Sequence, residues 1–411
     1  MPVSRWAVAG VATAALATLA LHGSPWTAAA DPLILAVPGH INTNVSLATR
    51  DAWVAAAWSA STEAGGTDIY LALSTDGGVT FGEPHRVNDV VGATNPSGEQ
   101  PPRVAIGERA IHVIWPAKRG QNAIAYANST DGGNTFSAAV HMPASGLPGA
   151  RGWASLAVAP QGVVHMVWLD GRAAAAAGVT GSPGAADPQQ DVYHASWRVG
   201  TGVVQTRIAE NVCFCCKTAV AVSGSDVYAA WRQIYAGSIR DIAFARSSDA
   251  GATFREPVRV SVDNWKLDGC PDDGPAVVVD SRGTVRVAWP TLIAGSTPRK
   301  AIFYSMSRDG YRFSPRTRLD TATADPAHPQ IALERGNTVG VVWDEVVDGT
   351  RRVLLRRVGP SDELGPVEIV TVEQGATYPA IAATQRDLLV AWTGGPSDAR
   401  VIKIRRLPLS R

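Results

Sequence analysis

The chain has 411 residues, and its 37 Lys and Arg against 36 Asp and Glu give a formal net charge of +1 at pH 7. This balance excludes the basic surface that nucleic acid or an acidic membrane face attracts. The 40 glycines, 27 prolines and 13 tryptophans predict many short strands joined by tight turns rather than long helices.

The first thirty residues carry the features of a secretory signal peptide. Arg5 supplies a positive start, an apolar run of about fifteen residues follows, and Ala28 and Ala30 offer a small-residue cleavage site. No later apolar run approaches the roughly 20 residues that a membrane-spanning helix needs. We predict that residues 1–30 are removed, that the protein is periplasmic or secreted, and that residues 31–411 form one domain.

A repeat of about fifty residues runs through the rest of the chain. Its marker is a short apolar strand that ends in tryptophan. The repeated tryptophans are Trp58, Trp115, Trp168, Trp231, Trp289, Trp343 and Trp392. Apolar strands precede and follow each of them, and four strands per repeat are typical of a β-propeller blade. We predict an all-β propeller with seven four-stranded blades, closed by an N-terminal strand near residues 32–37; a six-bladed ring is the alternative.

A second motif, S-x-D-x-G-x-T-F or a shorter relative, separates the third and fourth strands of four repeats. It occupies residues 74–81, 129–136, 247–254 and 307–313. An aspartate can accept hydrogen bonds from the N–H groups of a turn, and glycine allows a positive φ. We therefore interpret the motif aspartates as turn residues rather than as catalytic acids. They are Asp76, Asp131, Asp249 and Asp309.

These motifs are Asp boxes, and the chain resembles the sialidase superfamily of β-propellers. The resemblance concerns the architecture of residues 31–411. It says little about the reaction, because the same box occurs in propellers that hydrolyse nothing. It places the boxes on one face and implies a functional site on the opposite face, among the loops between blades and the loops that follow each tryptophan.

The resemblance also implies a carboxylate clamp of three arginines, the first in an R-I-P motif, with a tyrosine–glutamate nucleophile pair and an aspartate as acid/base. The sequence has no R-I-P motif, and Arg103 in P-P-R-V-A-I is its nearest substitute. Arginine can bind a carboxylate through two hydrogen bonds, but loop arginines and aspartates are also common as solvated ion pairs. The candidate catalytic residues are Arg103, Arg172, Arg232, Asp170, Asp344 and Tyr378.

Three of the four cysteines crowd into the segment C-F-C-C, as Cys213, Cys215 and Cys216, and the fourth is Cys270. The two segments lie in the predicted loops that lead into the fourth and fifth blades. We therefore expect the four thiols to meet near the central channel. Three interpretations stay open: a disulfide to Cys270 with leftover thiols, a site for a soft metal ion such as copper or zinc, and a redox centre.

Two functions follow from these patterns. The first is an exported binding scaffold whose cysteine-lined face binds a metal ion, a protein partner or a glycan. The second is a sialidase-like glycoside hydrolase of the exo-α-sialidase type, with a rearranged arginine clamp. The missing R-I-P motif and the crowded cysteines favour the binding scaffold.

Overall fold

The computed structural model consists almost entirely of antiparallel β-strands. It describes Met1 and residues 31–118, 123–142, 147–179, 189–267, 269, 271–293, 298–322 and 324–410. The rest of the predicted signal peptide, residues 2–30, and Cys270 lie outside the described residues. Within the described part of the chain, no helix has the length and apolar character needed to cross a membrane.

The strands follow each other at short intervals. The first nine are β1 (Leu33–Leu35), β2 (Ile41–Arg50), β3 (Trp53–Ser61), β4 (Thr67–Ser74), β5 (His85–Arg86), β6 (Arg103–Ile106), β7 (Ile111–Ala117), β8 (Ala123–Ser129) and β9 (Val140–Met142). Next come β10 (Arg151–Val158), β11 (Val164–Asp170), the short helix α1 (Arg172–Ala176), β12 (Gln190–Trp197), β13 (Val204–Val212), β14 (Ala219–Ser223), β15 (Asp226–Tyr235), β16 (Ile239–Ser247) and β17 (Val258–Arg259).

The remaining strands complete the same pattern. They are β18 (Ala276–Val279), β19 (Val285–Ile293), β20 (Arg299–Ser307), β21 (Thr317–Arg318), β22 (Asp325–Leu333), β23 (Val339–Val347), β24 (Thr350–Val358), β25 (Leu364–Val372), β26 (Thr377–Ala383), β27 (Asp387–Gly394) and β28 (Val401–Pro408). A short 3₁₀ helix, Arg335–Asn337, lies between β22 and β23.

Five of the six sheets among the described residues are four-stranded, and most sheets keep the chain order. The groups β2–β5, β6–β9, β18–β21 and β22–β25 each form one sheet. The strands β10–β17 share a sheet in which β13 and β15 meet only at Val212 and Gln233. In the last sheet, β1 pairs with β28, so that Leu33 lies opposite Ile404 and Leu35 lies opposite Ile402.

The repeated tryptophan lies in the core of each repeat. Six of the seven are wholly buried, and Trp115 is 2% exposed. A buried indole N–H needs an acceptor. In six repeats the acceptor is a side-chain oxygen from a nearby loop or strand end. These acceptors are Asn42, Asp170, Gln233, Asp263, Glu345 and Glu373.

The innermost strands of four repeats share a β-bulge. The pairing register shifts within β2, β10, β22 and β26. One non-glycine residue of positive φ lies in each shift, and these residues are Asn44, Trp153, His328 and Tyr378. A bulge redirects the side chain that it carries, and a left-handed non-glycine residue is a strained conformation often found at functional sites.

The aspartates of the S-x-D-x-G-x-T-F motif accept hydrogen bonds from their own turns. Asp76 accepts from the hydroxyls of Ser74 and Thr80, both at 2.7 Å, and from the Thr80 N–H. Asp131 and Asp249 make the equivalent contacts. The side chain and N–H of Thr135 lower the pKa of Asp131 to about 2, so this carboxylate is ionised and bound to its turn.

The pairing of β1 with β28 can be tested by truncating one buried side chain of β1. Leu35 is 8% exposed and packs in a core cluster with Ile402 and Ile404. We expect Leu35→Ala to lower the free energy of unfolding by about 2–4 kcal/mol, because it leaves a cavity between β1 and the core. Urea unfolding followed by circular dichroism measures this change.

Ile34 provides the matched control, because it lies on the same strand but is 62% exposed. We expect Ile34→Ala to change the free energy of unfolding by less than about 0.5 kcal/mol. Equal effects of the two substitutions would contradict the packing of β1 against the core.

Candidate functional site

The innermost strands converge on a cavity of about 170 Å³. Each of β2, β6, β10, β14, β18, β22 and β26 contributes lining residues. Small-molecule pockets commonly measure about 300–1,000 Å³. This cavity is therefore sized for a small ligand or for the end of a larger one.

Charged side chains from distant parts of the chain meet beside this cavity. We call them the channel cluster, and its members are Glu99, Lys217, Asp273, His328, Asp344 and Arg351. His328 is central. Its Nδ1 lies 2.7 Å from Oδ2 of Asp344, and its Nε2 lies 3.1 Å from Oε1 of Glu99. The Glu99 contact is within ion-pair distance but is not aligned as a hydrogen bond.

The most deeply buried pair of the channel cluster is Lys217 and Asp273, whose side-chain charges lie 3.2 Å apart. Lys217 is 4% exposed and Asp273 is 3% exposed. Asp273 also accepts hydrogen bonds from the backbone N–H groups of Gly274 and His328. A charge at this depth is tolerated only when it is paired and hydrogen-bonded, and both conditions are met here.

Asp344 joins the last two repeats. Its carboxylate lies 3.2 Å from the Arg351 guanidinium and accepts the Tyr378 N–H at 2.8 Å. The rings of Tyr378 and His328 lie 3.9 Å apart at an angle of 32°. A Cβ on Gly98 would lie 2.1 Å from the Tyr378 ring. Glycine is therefore required where the loop before β6 packs against this tyrosine.

The channel cluster holds His328 as an imidazolium at neutral pH. Burial opposes the charge, but contacts with Asp344 and Glu99 and the negative charge of Asp273 outweigh it and raise the pKa of His328 to about 10. Burial raises the pKa of Glu99. Burial and the charges of Glu99 and Asp344 raise the pKa of Tyr378 to about 12, so its phenol stays protonated.

A second cluster, which we call the thiol cluster, contains the free cysteines Cys213 and Cys216 and, beside them, Cys215, which is disulfide-bonded. The Cys213 sulfur lies 3.7 Å from that of Cys215 and 3.3 Å from that of Cys216. The three sulfurs all lie within 4.8 Å of one another. Their exposures are 0%, 5% and 1%. Among the described residues, this is the group of Cys, His, Asp or Glu side chains whose potential ligand atoms lie close enough together to hold a metal ion.

Two buried arginines accompany the thiol cluster. The Nη1 of Arg240 donates to the Cys213 sulfur at 3.3 Å. Arg232 directs its donors to the backbone carbonyls of Asp273, Arg240 and Pro290. The hydrogen bond from Cys216, together with the charges of both arginines, lowers the pKa of Cys213 to about 6. Burial raises the pKa of Cys216. The cluster therefore favours a thiolate at Cys213.

The thiol cluster and the channel cluster are neighbours. Lys217 follows Cys216 directly and lines the cavity. Arg232 connects the two through its 3.2 Å hydrogen bond to the Asp273 carbonyl. Cys213, Cys215 and Cys216 thus lie together next to a residue that lines the cavity, and Cys270 is outside the described residues.

The comparisons with known proteins find similarity of structure only. No protein-family sequence profile matches the chain, and no curated protein matches it. An ulvan lyase superposes with a TM-score of 0.58 at 10% identity, over 92% of this chain and 94% of the other. An α-L-arabinofuranosidase of Fusarium graminearum gives a TM-score of 0.52 at 10% identity, over 92% and 97%. A Trypanosoma rangeli sialidase gives 0.50 at 10% identity, over 79% and 56%.

The chain has the fold of a sialidase-like β-propeller. Within this propeller, three predicted catalytic residues lie around the central cavity. Arg103 and Tyr378 line it, and Asp344 binds His328 next to it. Burial lowers the pKa of Arg103 to about 10. Sequence reasoning missed Glu99 and Lys217, although each stands directly before an innermost strand, where a polar residue can reach the channel.

The other three predicted catalytic residues lie elsewhere in the propeller. Asp170 accepts hydrogen bonds from Trp168, Arg151 and Arg172. Arg172 also packs over the Tyr193 ring at 4.1 Å. Arg232 is buried beside the thiol cluster. The described contacts therefore do not join the arginines into one carboxylate clamp.

The charge of His328 can be tested through the pH dependence of stability. Its pKa is raised in the folded state, so its contribution is complete below the unfolded value near 6.5 and is lost as the pH rises toward about 10. We expect the free-energy difference between the wild type and His328→Asn to shrink from pH 6 to pH 10. Asparagine suits the positive φ of this position. Urea titrations at both pH values provide the measurement.

The exposed His85 serves as the control histidine. His85→Asn should leave the pH dependence of stability equal to that of the wild type. A difference for His328→Asn that is constant across the pH range would show that the imidazolium is not stabilised by the channel cluster.

Proposed function

We propose that this propeller is an exported binding scaffold whose thiol cluster holds a soft metal ion, copper or zinc. One observation carries the proposal: Cys213 and Cys216 are free thiols whose sulfurs lie 3.3 Å apart. Metal–sulfur bonds of about 2.3 Å at tetrahedral angles place sulfurs roughly 3.8 Å apart. The 3.3 Å separation of the two free thiols is near that value.

Charge balance supports thiolate ligands. Arg232 and Arg240 are 1% and 4% exposed, and no carboxylate of the described residues lies within ion-pair distance of either one. A buried cation without a counter-ion is costly. Thiolates at Cys213 and Cys216 would supply negative charge beside these arginines, and a bound Cu(I) would leave one of those two charges uncancelled. Arg240 in turn acts as an outer hydrogen-bond donor to a ligand sulfur, a contact that tunes metal sites.

We infer further that the repeats form seven blades of one ring closed by β1. The single pair between β13 and β15 supports separate third and fourth blades, and the pairing of β1 with β28 supports closure. Export and a glycan partner complete the proposal. The N-terminal sequence supports export. The ligands bound by similar propellers, such as an ulvan disaccharide unit and arabinobiose, support a glycan partner.

Metal binding can be measured on the purified full chain. After loading with Cu(I) or Zn(II) under reducing, oxygen-free conditions, we expect elemental analysis to find one ion per chain that survives gel filtration. Cys213→Ser and Cys216→Ser should each weaken binding by more than the roughly 10–100-fold that loss of an outer-shell partner costs, as measured by chelator competition.

His328→Asn is the control, because it removes a potential ligand from the channel cluster and leaves the thiols intact. It should bind the metal as tightly as the wild type. The metal proposal fails if the wild type retains no ion, or if Cys213→Ser retains as much as the wild type does.

A sialidase-like hydrolase is the second candidate, favoured by the meeting of Arg103, Asp344 and Tyr378 around one cavity. It is weaker, since Arg172 and Arg232 use their donors elsewhere. We expect no release of sialic acid from a fluorogenic sialoside at the ~1–10³ s⁻¹ typical of enzymes. Efficient turnover that Arg103→Gln abolishes, with folding unchanged, would reverse this ranking.

A further inference from the structure

A second concave surface lies on the opposite face of the propeller. It is a groove of about 630 Å³ lined by the turn after β2, the turn after β6 and the turn after β8. Antiparallel strands alternate in direction, so these turns lie at the far end of the sheets from the loops that carry Glu99 and Asp273. The volume falls within the roughly 300–1,000 Å³ of ordinary ligand pockets.

Trp53 is the main aromatic side chain of this groove. It is 40% exposed, and it is the only exposed tryptophan in the part of the chain that the structure describes. The edge of its indole lies near Gly132, where an added Cβ would be 3.9 Å from Cη2. The ring therefore extends from the first repeat to a turn of the second and borders the groove along the way.

The repeat itself shows that the fold does not require an aromatic residue here. Trp53 stands five residues before Trp58, at the start of the second strand. The residues at the same spacing in the other six repeats are Ala110, Val163, Asp226, Thr284, Thr338 and Asp387. All six are small, β-branched or polar. An exposed tryptophan that only one repeat carries is therefore not explained by the architecture, although a single exposed apolar side chain is not unusual by itself.

The polar groups beside Trp53 are available for a ligand. Glu108 and Arg109 are exposed, and neither makes a hydrogen bond or ion pair within the described residues. Arg50 and Asp51 form only a loose pair at 3.9 Å. The groove thus offers two guanidinium groups and two carboxylates around one indole ring. This balance does not favour a strongly charged ligand of either sign.

We infer that the groove binds a neutral oligosaccharide, with one sugar ring stacked on Trp53 and its hydroxyls bonded by Glu108 and Arg109. Sugar hydroxyls both donate and accept, so they satisfy a carboxylate and a guanidinium together. A β-1,4-linked glucose ring carries its hydroxyls equatorially and presents a flat C–H face, which suits an exposed aromatic ring. This inference does not depend on the metal proposed for the thiol cluster.

The test uses the full chain and cellotetraose as the probe, with galacturonic acid trimer as the acidic comparison. We expect calorimetry to detect binding of cellotetraose to the protein and to show that the acidic trimer binds more weakly than cellotetraose. Trp53→Ala should weaken cellotetraose binding by at least about tenfold, and Trp53→Phe should recover part of the loss. Cellotetraose should also protect one tryptophan from acrylamide quenching, and this protection should disappear in Trp53→Ala.

Two controls separate this site from the rest of the protein. Tyr311 is 47% exposed in a turn of a later repeat, and Tyr311→Ala should bind cellotetraose as the wild type does. The Cys213→Ser variant should also bind cellotetraose with wild-type affinity. A failure of the metal proposal can therefore be distinguished from a failure of the oligosaccharide proposal. The inference is overturned if the wild type does not bind cellotetraose, if the acidic trimer binds more tightly, or if Trp53→Ala, with an unchanged unfolding midpoint, binds equally well.

Discussion

The need to satisfy a buried indole N–H shapes six of the seven repeats of this propeller. The tryptophan of the second strand fills the core, and its nitrogen must still find an acceptor. Each acceptor lies at a strand end or loop, so the requirement ties the core to the face that carries the channel. Asp170 and Glu345 illustrate the result: both are buried carboxylates that accept a tryptophan N–H and also bind arginines. A carboxylate at this position is first of all a structural partner.

The channel cluster meets a different constraint, because it gathers charge from four repeats at one place. Glu99, Asp273 and Asp344 face Lys217, His328 and Arg351, so the network is close to neutral. The bulges at His328 and Tyr378 turn these side chains toward the cavity. Such a network stabilises the junction of the repeats, and its cations already have carboxylate partners. An arginine clamp for a ligand carboxylate needs unpaired guanidinium groups instead, and the cations of the channel cluster do not supply them.

The repeat architecture was predictable because its signals are local. The tryptophan strands recur at a regular spacing, and the hydrogen bonds of the Asp76 turn lie within a few residues of each other. The site was only partly predictable. Glu99 and His328 are more than two hundred positions apart in the sequence, and nothing in either segment specifies their contact. Arg172 and Arg232 were predicted to face a ligand, but their guanidinium groups donate to a buried carboxylate and to backbone carbonyls of the protein itself.

The thiol cluster shows how electrostatics can discriminate between states that sequence alone left open. A disulfide between Cys213 and Cys216 would remove the Cys213 thiolate that accepts a hydrogen bond from Arg240, and the guanidinium would then keep just a carbonyl partner among the described residues. Neutral thiols leave the same deficit. Metal-bound thiolates correct it without requiring Arg232 or Arg240 to move, since both already point toward the sulfurs or the backbone around them. The two buried arginines therefore support the proposed metal–thiolate centre at Cys213 and Cys216.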